Sequence, residues 1–482
     1  MNKRIYSLLV FCLLVNLAFG QFQQGLRMGK YTNLYQMMLN PAATPEGIAV
    51  NLLQGGIYVN NNIIGVKGAN AFNLLPKKNG LVIEYPRGRV KYPVNGTNGV
   101  SDTLLGFFQD TLKNHFAYGS FVVEGPSAVF ALNENFSVGL GMRIKGNLGA
   151  FNIPDGMIPF THAAQPFYTT YPIAPFNMSG AVYMEIPLTL SVKKIVGFNV
   201  LSLGTALKFI LPMMSAYVDS RNALNISQRP SNNFNLANVD GEMAFSVWSR
   251  NPINGKIKKS LNGFGMGLDV GGRLAEGEGK WFVGAALTDL GYIRFNKNST
   301  TYNITSTGVS SHSGLAYISS ISKGNVIQAG NLLSTDILGS SIAGVSGNEF
   351  NLFLPASLNF QGGISIGNSF FISTMANIPL LKSNKNIQSM ETLMIMPSWE
   401  SGLWAIKLPF SLTNRQSFTS GFAFRVGPLT IGSDNVSSWV VKSEFTGSDF
   451  YFALQLPLFY GNNQTSKGKG GKNSNLFRCY TF

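Results

Sequence analysis

The sequence predicts an all-β fold: a transmembrane antiparallel β-barrel of about 14 strands, with a short amphipathic helix and long loops. Three observations carry that expectation. First, FSVGLGMRIK at 136–145 sets Phe136, Val138, Leu140, Met142 and Ile144 on one face and Ser137, Gly139, Gly141, Arg143 and Lys145 on the other. A helix cannot turn a period of two into a clean apolar face, and about 9–11 residues of tilted strand cross a bilayer. Second, the pattern recurs at 199–210, 263–272, 357–366 and 450–458, always with one greasy face and one small or polar face. Soluble sandwiches reverse this, setting bulky polar groups against water, whereas a membrane barrel turns its apolar face to lipid. Third, no run of 18 apolar residues follows the amino-terminal segment, yet 45% of the chain is hydrophobic, 12% is aromatic and 53 residues are glycine. Hydrophobicity spread over alternate positions gives that balance.

Residues 1–20 read as a signal peptide, with Lys3 and Arg4 before an apolar run from Ile5 to Leu17 and small Ala18 and Gly20 before Gln21. The expected location is the outer membrane. Loss of Cys12 with that segment leaves Cys479 alone, so no internal disulfide forms. The formal charge of +15 falls to +13 without Lys3 and Arg4. Its lysines and arginines are scattered, so nucleic acid is not expected as a partner. Outer-membrane lipid is.

Residues 21–55 lack strand alternation and read as a periplasmic lead-in or a plug in the barrel mouth; Leu39, Asn40 and Pro41 are its candidate partner or plug contacts. Residues 56–460 form the barrel. Its first strand is expected near Gly56–Ile64. Residues 102–116 repeat apolar positions at three and four, which predicts the helix. Strands follow near 118–132 and 136–145, then a Pro- and aromatic-rich loop at 146–177, then strands near 178–190, 200–211, 243–249, 264–274 and 280–287. The Ser/Thr/Asn-rich insertion 295–352 falls after an even-numbered strand in this count, hence on the periplasmic side. Strands near 356–367, 370–378, 403–410, 421–427, 439–444 and 450–459 complete the set. A basic tail occupies 461–482.

No chemistry of catalysis stands out, and no enzyme, metal or cofactor is expected. GFGMG at 263–267 lies in an alternating strand with no helix after it, unlike a phosphate loop. His115, His162 and His312 are far apart in sequence, and in SSHSG adjacent Ser and His seldom face each other. The notable polar residues are Arg143, Lys145, Lys208, Asp269, Lys407 and Arg425 on the expected lumen faces. They set the charge preference of an open channel or pair with a plug.

Several segments carry a resemblance. YQMMLNPAATPEG at 35–47 resembles the amino-terminal segment of PorP/SprF-like Bacteroidota outer-membrane barrels, which are associated with type IX secretion and gliding. WFVGAALTDLGYIRF at 281–295, LPASLNFQGGISI at 354–366 and GFAFRVGPLTIGSDNV at 421–436 are similar to an uncharacterised FadL-like barrel family of the same phylum; Phe295 stands where that family often has Trp. The resemblance implies an accessory or structural component of an outer-membrane protein complex, with secretion-system proteins as partners. The alternative is a FadL-like transporter of a hydrophobic small molecule. Breaks in the wall at Pro126 and Pro187 would favour the transporter, and a continuous wall around a filled lumen the structural role.

Overall fold

Alternation becomes a wall. In the computed structural model the apolar and polar faces curl into a closed antiparallel barrel of 14 strands. The structure describes residues 23–30, 33–43, 48–62, 64–69, 71, 82–85, 88–93, 104–107, 115–133, 135–154, 168, 170–229, 233–250, 257–276, 280–313, 326–367, 369–381, 385–401, 403–441 and 443–458. The expected signal peptide and basic tail therefore lie outside the described residues.

Around the wall, the first seven strands are Ile48–Asn61; His115–Glu124 continued by Ser127–Ala131; Phe136–Leu140 continued by Arg143–Ile153; Phe176–Val196; Asn199–Ser220; Gly263–Glu276; and Trp281–Phe295. The other seven are Ser357–Ile366; Phe370–Pro379; Thr392–Glu400; Trp404–Lys407 continued by Phe410–Thr413; Ser417–Ser420 continued by Phe422–Val426; Leu429–Ser433; and Gly447–Leu458. The last strand pairs with the first from Ile48 opposite Leu458 to Asn60 opposite Gly447, which leaves the wall no open edge.

The faces sort as a membrane barrel requires. Along Gly263–Glu276, Phe264, Met266, Leu268 and Val270 are exposed while Asp269 and Arg273 are buried. Trp399 and Trp404 meet edge to face at 5.0 Å between ring centres, and Phe370 pairs with Trp399. These aromatics, with Trp281, sit where short turns join the strands, as in an interfacial girdle.

Long segments leave the opposite end. The insertion at 295–352 follows the seventh wall strand, an odd one rather than the even one counted from the sequence, and so projects at the same end as the other long segments, which removes the ground for the expected periplasmic placement. There Asn233–Ser246 and Ser299–Ser313 pair with each other, and the helix Val326–Leu338 packs on the second. The strand expected near 243–249 belongs to this extension, where Met243–Ser246 pairs with the outer end of the fifth wall strand. Ile64–Ala69, Val82–Tyr85, Gly88–Pro93, Leu104–Phe107 and Ser443–Phe445 form a separate five-stranded sheet.

Other elements also depart from expectation. Leu104–Phe107 is a strand and His115 opens another, although the apolar spacing there reads as helical; residues 108–114 lie outside the described residues. Strand pairing overrode that local pattern. Within the expected strand at 439–444, Ser437–Val440 is instead a helical turn. The first wall strand starts at Ile48, earlier than expected. The third runs to Ile153, into the expected loop at 146–177, of which residues 155–167 and 169 lie outside the described residues.

Candidate functional site

The lumen is occupied by the chain's own amino-terminal segment. Gln24–Arg27 and Asn33–Gln36 form two short helices, and Leu26, Met28, Leu34, Tyr35 and Leu39 are buried. Backbone groups that no helix satisfies must bond elsewhere, and here they bond to the wall. Gln24 N donates to Asp434 Oδ2 at 2.8 Å, Gly25 N to Tyr451 Oη at 3.2 Å and Lys30 N to Glu400. Lys407 Nζ donates to the carbonyls of Gly25 at 2.9 Å and Met28 at 2.8 Å. Further along, Tyr35 Oη donates to Asn51 Oδ1 at 2.8 Å.

Asn40 closes a turn by accepting from Ala42 N at 2.9 Å, and its Nδ2 donates to Gly272 O at 3.0 Å. A Cβ at Gly204 would stand 2.3 Å from the Pro41 carbonyl, and one at Gly271 would stand 2.2 Å from Asn40 Oδ1. Glycine at those lumen positions is what lets the NPA turn approach. Leu39, Asn40 and Pro41 are all buried, inside the barrel and out of reach of a second protein.

Beside this plug lies a layer of buried charge. Lys208 Nζ stands 2.6 Å from both Asp269 Oδ1 and Asp289 Oδ1. Arg143 pairs with Glu185, and Lys145 Nζ lies 3.1 Å from the same carboxylate. Register explains the layer: Glu124 lies opposite Arg143, and Arg143 opposite Glu185, on three neighbouring strands. Buried ions persist only when paired, and Glu185, Asp269 and Asp289 are the partners of Arg143, Lys145 and Lys208.

Glu185 follows the simple alternation of its strand. Asp289 does not: Thr288 already points inward, and a left-handed backbone at Asp289 (φ 57°), with Gly291 at φ 156°, forms a bulge that brings it to Lys208 as well. No period-two reading finds such a residue. The remaining predicted charges, Lys407 and Arg425, sit elsewhere: Lys407 holds the plug, and Arg425 Nη2 donates to Ser401 O at 2.7 Å.

Immediately beside the Glu124–Arg143–Glu185 row, the wall is broken at one level across four strands. The register jumps between Asn51 and Leu53 in the first strand. Pairing stops at Gly125–Pro126 in the second and at Gly141–Met142 in the third, and it skips Ile186–Pro187 on the facing edge of the fourth. Pro126 and Pro187 have no N–H to give to a ladder. Across the break Gly125 N still donates to Met142 O at 2.9 Å and Gly141 N to Pro187 O at 3.3 Å.

A small cleft of about 50 Å³ lies in this seam, between lipid-facing Leu140 and Met142 outside and Met37, Met38, Glu124, Arg143 and Asp269 inside. A second cavity, also of about 50 Å³, lies in the lumen and is lined by Arg27, Arg143, Lys145 and Asp289. The seam was detectable in sequence only as two prolines and a Gly-Met pair in strands.

Two other sequence features resolve differently. Ser310 and His312, two apart on one strand, share a face: Ser310 Oγ is 2.7 Å from His312 Nε2, and His312 Nδ1 is 3.1 Å from Asp336 Oδ2 on the Val326–Leu338 helix. The expectation for adjacent Ser and His does not cover this pair, whose two-residue spacing puts both on one strand face. A nucleophile needs access, however, and Ser310 and His312 are only 9% and 2% exposed. His312 also stacks on Phe234. The trio ties the helix to the sheet. Among the described residues no group of three His, Cys, Asp or Glu is placed to hold a metal.

Comparison with known proteins gives distant barrels. The chain resembles a deltaS2 mutant of the TodX monoaromatic hydrocarbon channel at 10% identity, covering 91% of this chain and 96% of that one, with a TM-score of 0.40. It resembles the Pseudomonas putida toluene transporter TodX at 9% identity, covering 91% and 94%, with a TM-score of 0.37. For the translocator domain of autotransporter NalP from Neisseria meningitidis the figures are 9%, 85% and 88%, and 0.29. Likeness at this level says nothing of cargo. No curated protein matches the sequence. A family model does match residues 41–434, most of the chain, which therefore belongs to the family of unknown function DUF5723.

Proposed function

We propose that this protein is a non-enzymatic channel of the outer membrane that passes a hydrophobic small molecule sideways, between the lumen and the lipid, through the seam in its wall. The observation that carries this reading is the seam itself. On four neighbouring strands the ladder is interrupted at one height, with single backbone hydrogen bonds bridging it, and the cleft there is lined by both lipid-facing and lumenal residues. Unpaired backbone in hydrocarbon is costly, so a seam kept at membrane depth calls for a use. An accessory role in a secretion complex draws on the NPA segment and on the insertion at 295–352; Asn40 and Pro41 are buried in the lumen, which weighs against the first as a partner contact.

The test is uptake of a radiolabelled hydrocarbon such as toluene by liposomes carrying the protein. A Cβ at Gly141 would already lie 2.9 Å from Ser127 Cβ and 3.8 Å from Pro187 Cγ, so Gly141→Trp fills the cleft. We expect uptake to fall by about tenfold or more. Ile364→Trp, on the lipid face of an unbroken part of the wall, leaves it unchanged. Equal uptake by the wild type and a folded Gly141→Trp barrel would sink the lateral route.

A further inference from the structure

We infer that the seam cleft selects molecules with an apolar body and a hydrogen-bond-donating head, an alcohol or an amine, over those with a carboxylate head. The inference deepens the channel reading and rests on it. The outer part of the cleft is apolar, with Leu140, Met142 and Pro187 around it. Its inner end carries three ionic groups, Glu124, Arg143 and Asp269, so carboxylates outnumber cations two to one.

The single cation is already committed, because Arg143 is paired with Glu185. Asp269 is likewise paired, with Lys208 at 2.6 Å. Glu124 is the open position. Its Oε1 accepts from Ser127 Oγ at 2.5 Å and from Asn51 Nδ2 at 3.2 Å, while its Oε2 is buried with no hydrogen-bond partner in a side chain that is 3% exposed.

A buried acceptor without a donor is unfavourable, and a ligand that brings a donor removes the penalty. A hydroxyl donates one hydrogen bond there. An ammonium donates up to three and adds attraction to the two carboxylates. A carboxylate head brings a third negative charge and no donor, so it is repelled where the other two are held. The apolar body selects for greasiness and Glu124 for the head.

The experiment is competition for radiolabelled octan-1-ol bound to the wild-type protein in lipid nanodiscs at pH 7.5, with empty discs subtracted. The competitors are octan-1-ol, octylamine and octanoate, which share a chain length and differ in the head. We expect octanol and octylamine to displace the label at concentrations about tenfold lower than octanoate. Glu124→Leu should remove the preference. Glu124→Gln, which keeps an acceptor but not the charge, should keep octanol and lose the advantage of octylamine.

The ranking on wild-type protein needs no variant, so a misfolded mutant leaves the inference testable. Octanoate competing as well as octanol, or octanol binding that does not saturate, overturns it. Should that happen while Gly141→Trp still blocks hydrocarbon uptake, only the head-group preference fails and the lateral route stands.

Discussion

The two sides of the barrel are built on opposite plans. Between the eighth, ninth and tenth wall strands the ladder is unbroken, from Ser357 opposite Pro379 to Ile366 opposite Phe370, and from Phe370 opposite Trp399 to Asn377 opposite Thr392. That side faces the lumen with Phe371, Met375, Met394 and Met396, packed in one cluster with Met28 and Leu39 of the plug. From the first to the fourth strand the ladder breaks at one level, and the lumen face carries Glu124, Arg143 and Glu185. A continuous wall can be lined with adaptable apolar side chains, because its backbone is satisfied by pairing. A broken wall admits polar or lipid groups near the lumen, and there paired charges give fixed, directional contacts in place of packing.

The contrast predicts unequal responses to substitution. The largest effect is expected at Lys208, which stands 2.6 Å from two buried carboxylates. Lys208→Met leaves Asp269 without a cation and Asp289 with only Lys145 at 3.8 Å, so a loss of about 3–5 kcal/mol of unfolding free energy is expected from urea titration, read by the barrel's heat-modifiable gel shift. If the variant unfolds with the wild type, the charge layer contributes nothing to the wall.

On the unbroken side Met394→Leu keeps volume and should cost less than about 1.5 kcal/mol by the same assay. A loss as large as that at Lys208 would erase the distinction between the two sides. The smallest effect lies outside the wall, in the insertion that projects beyond the seventh strand. Burial holds His312 below its usual 6.5, against the opposing pull of Asp336. The folded state thus binds fewer protons than the unfolded chain in that range, and stability falls as pH drops from about 6.5. Amide exchange in Val326–Leu338 should quicken at pH 5 relative to pH 7 after correction for intrinsic rates. No change would mean that His312 does not hold the helix.

Much of the wall was legible, though some of it for the wrong strands. The expected count and the observed count agree because two errors cancel. Residues 243–249 and 439–444 read as wall strands in the sequence but are not, whereas Thr392–Glu400 and Leu429–Ser433 are wall strands that the sequence pattern does not single out. Thr392–Glu400 does alternate, with Leu393 and Ile395 outward and Met394 and Met396 inward, but methionine hid the inner face because it counts as apolar on either side. The lumen charges Arg143, Lys208 and Asp269 were legible because each sits on the polar face of a clean alternating strand. Their acidic partner Asp289 was not, since a left-handed residue carries it inward off register.

Alternation by itself determined that this chain forms a membrane barrel, because a period of two over about ten residues has one favourable environment on each face. Only the tertiary structure decided where the wall opens and what fills it. Gly125–Pro126, Gly141–Met142 and Pro187 are each an ordinary interruption in sequence. They form a seam because strand register stacks them at one height, and register is a property of the closed ring. The plug follows the same logic: residues with no strand pattern find their place only after the wall has enclosed a lumen, with Gly204 and Gly271 leaving space for Asn40 and Pro41.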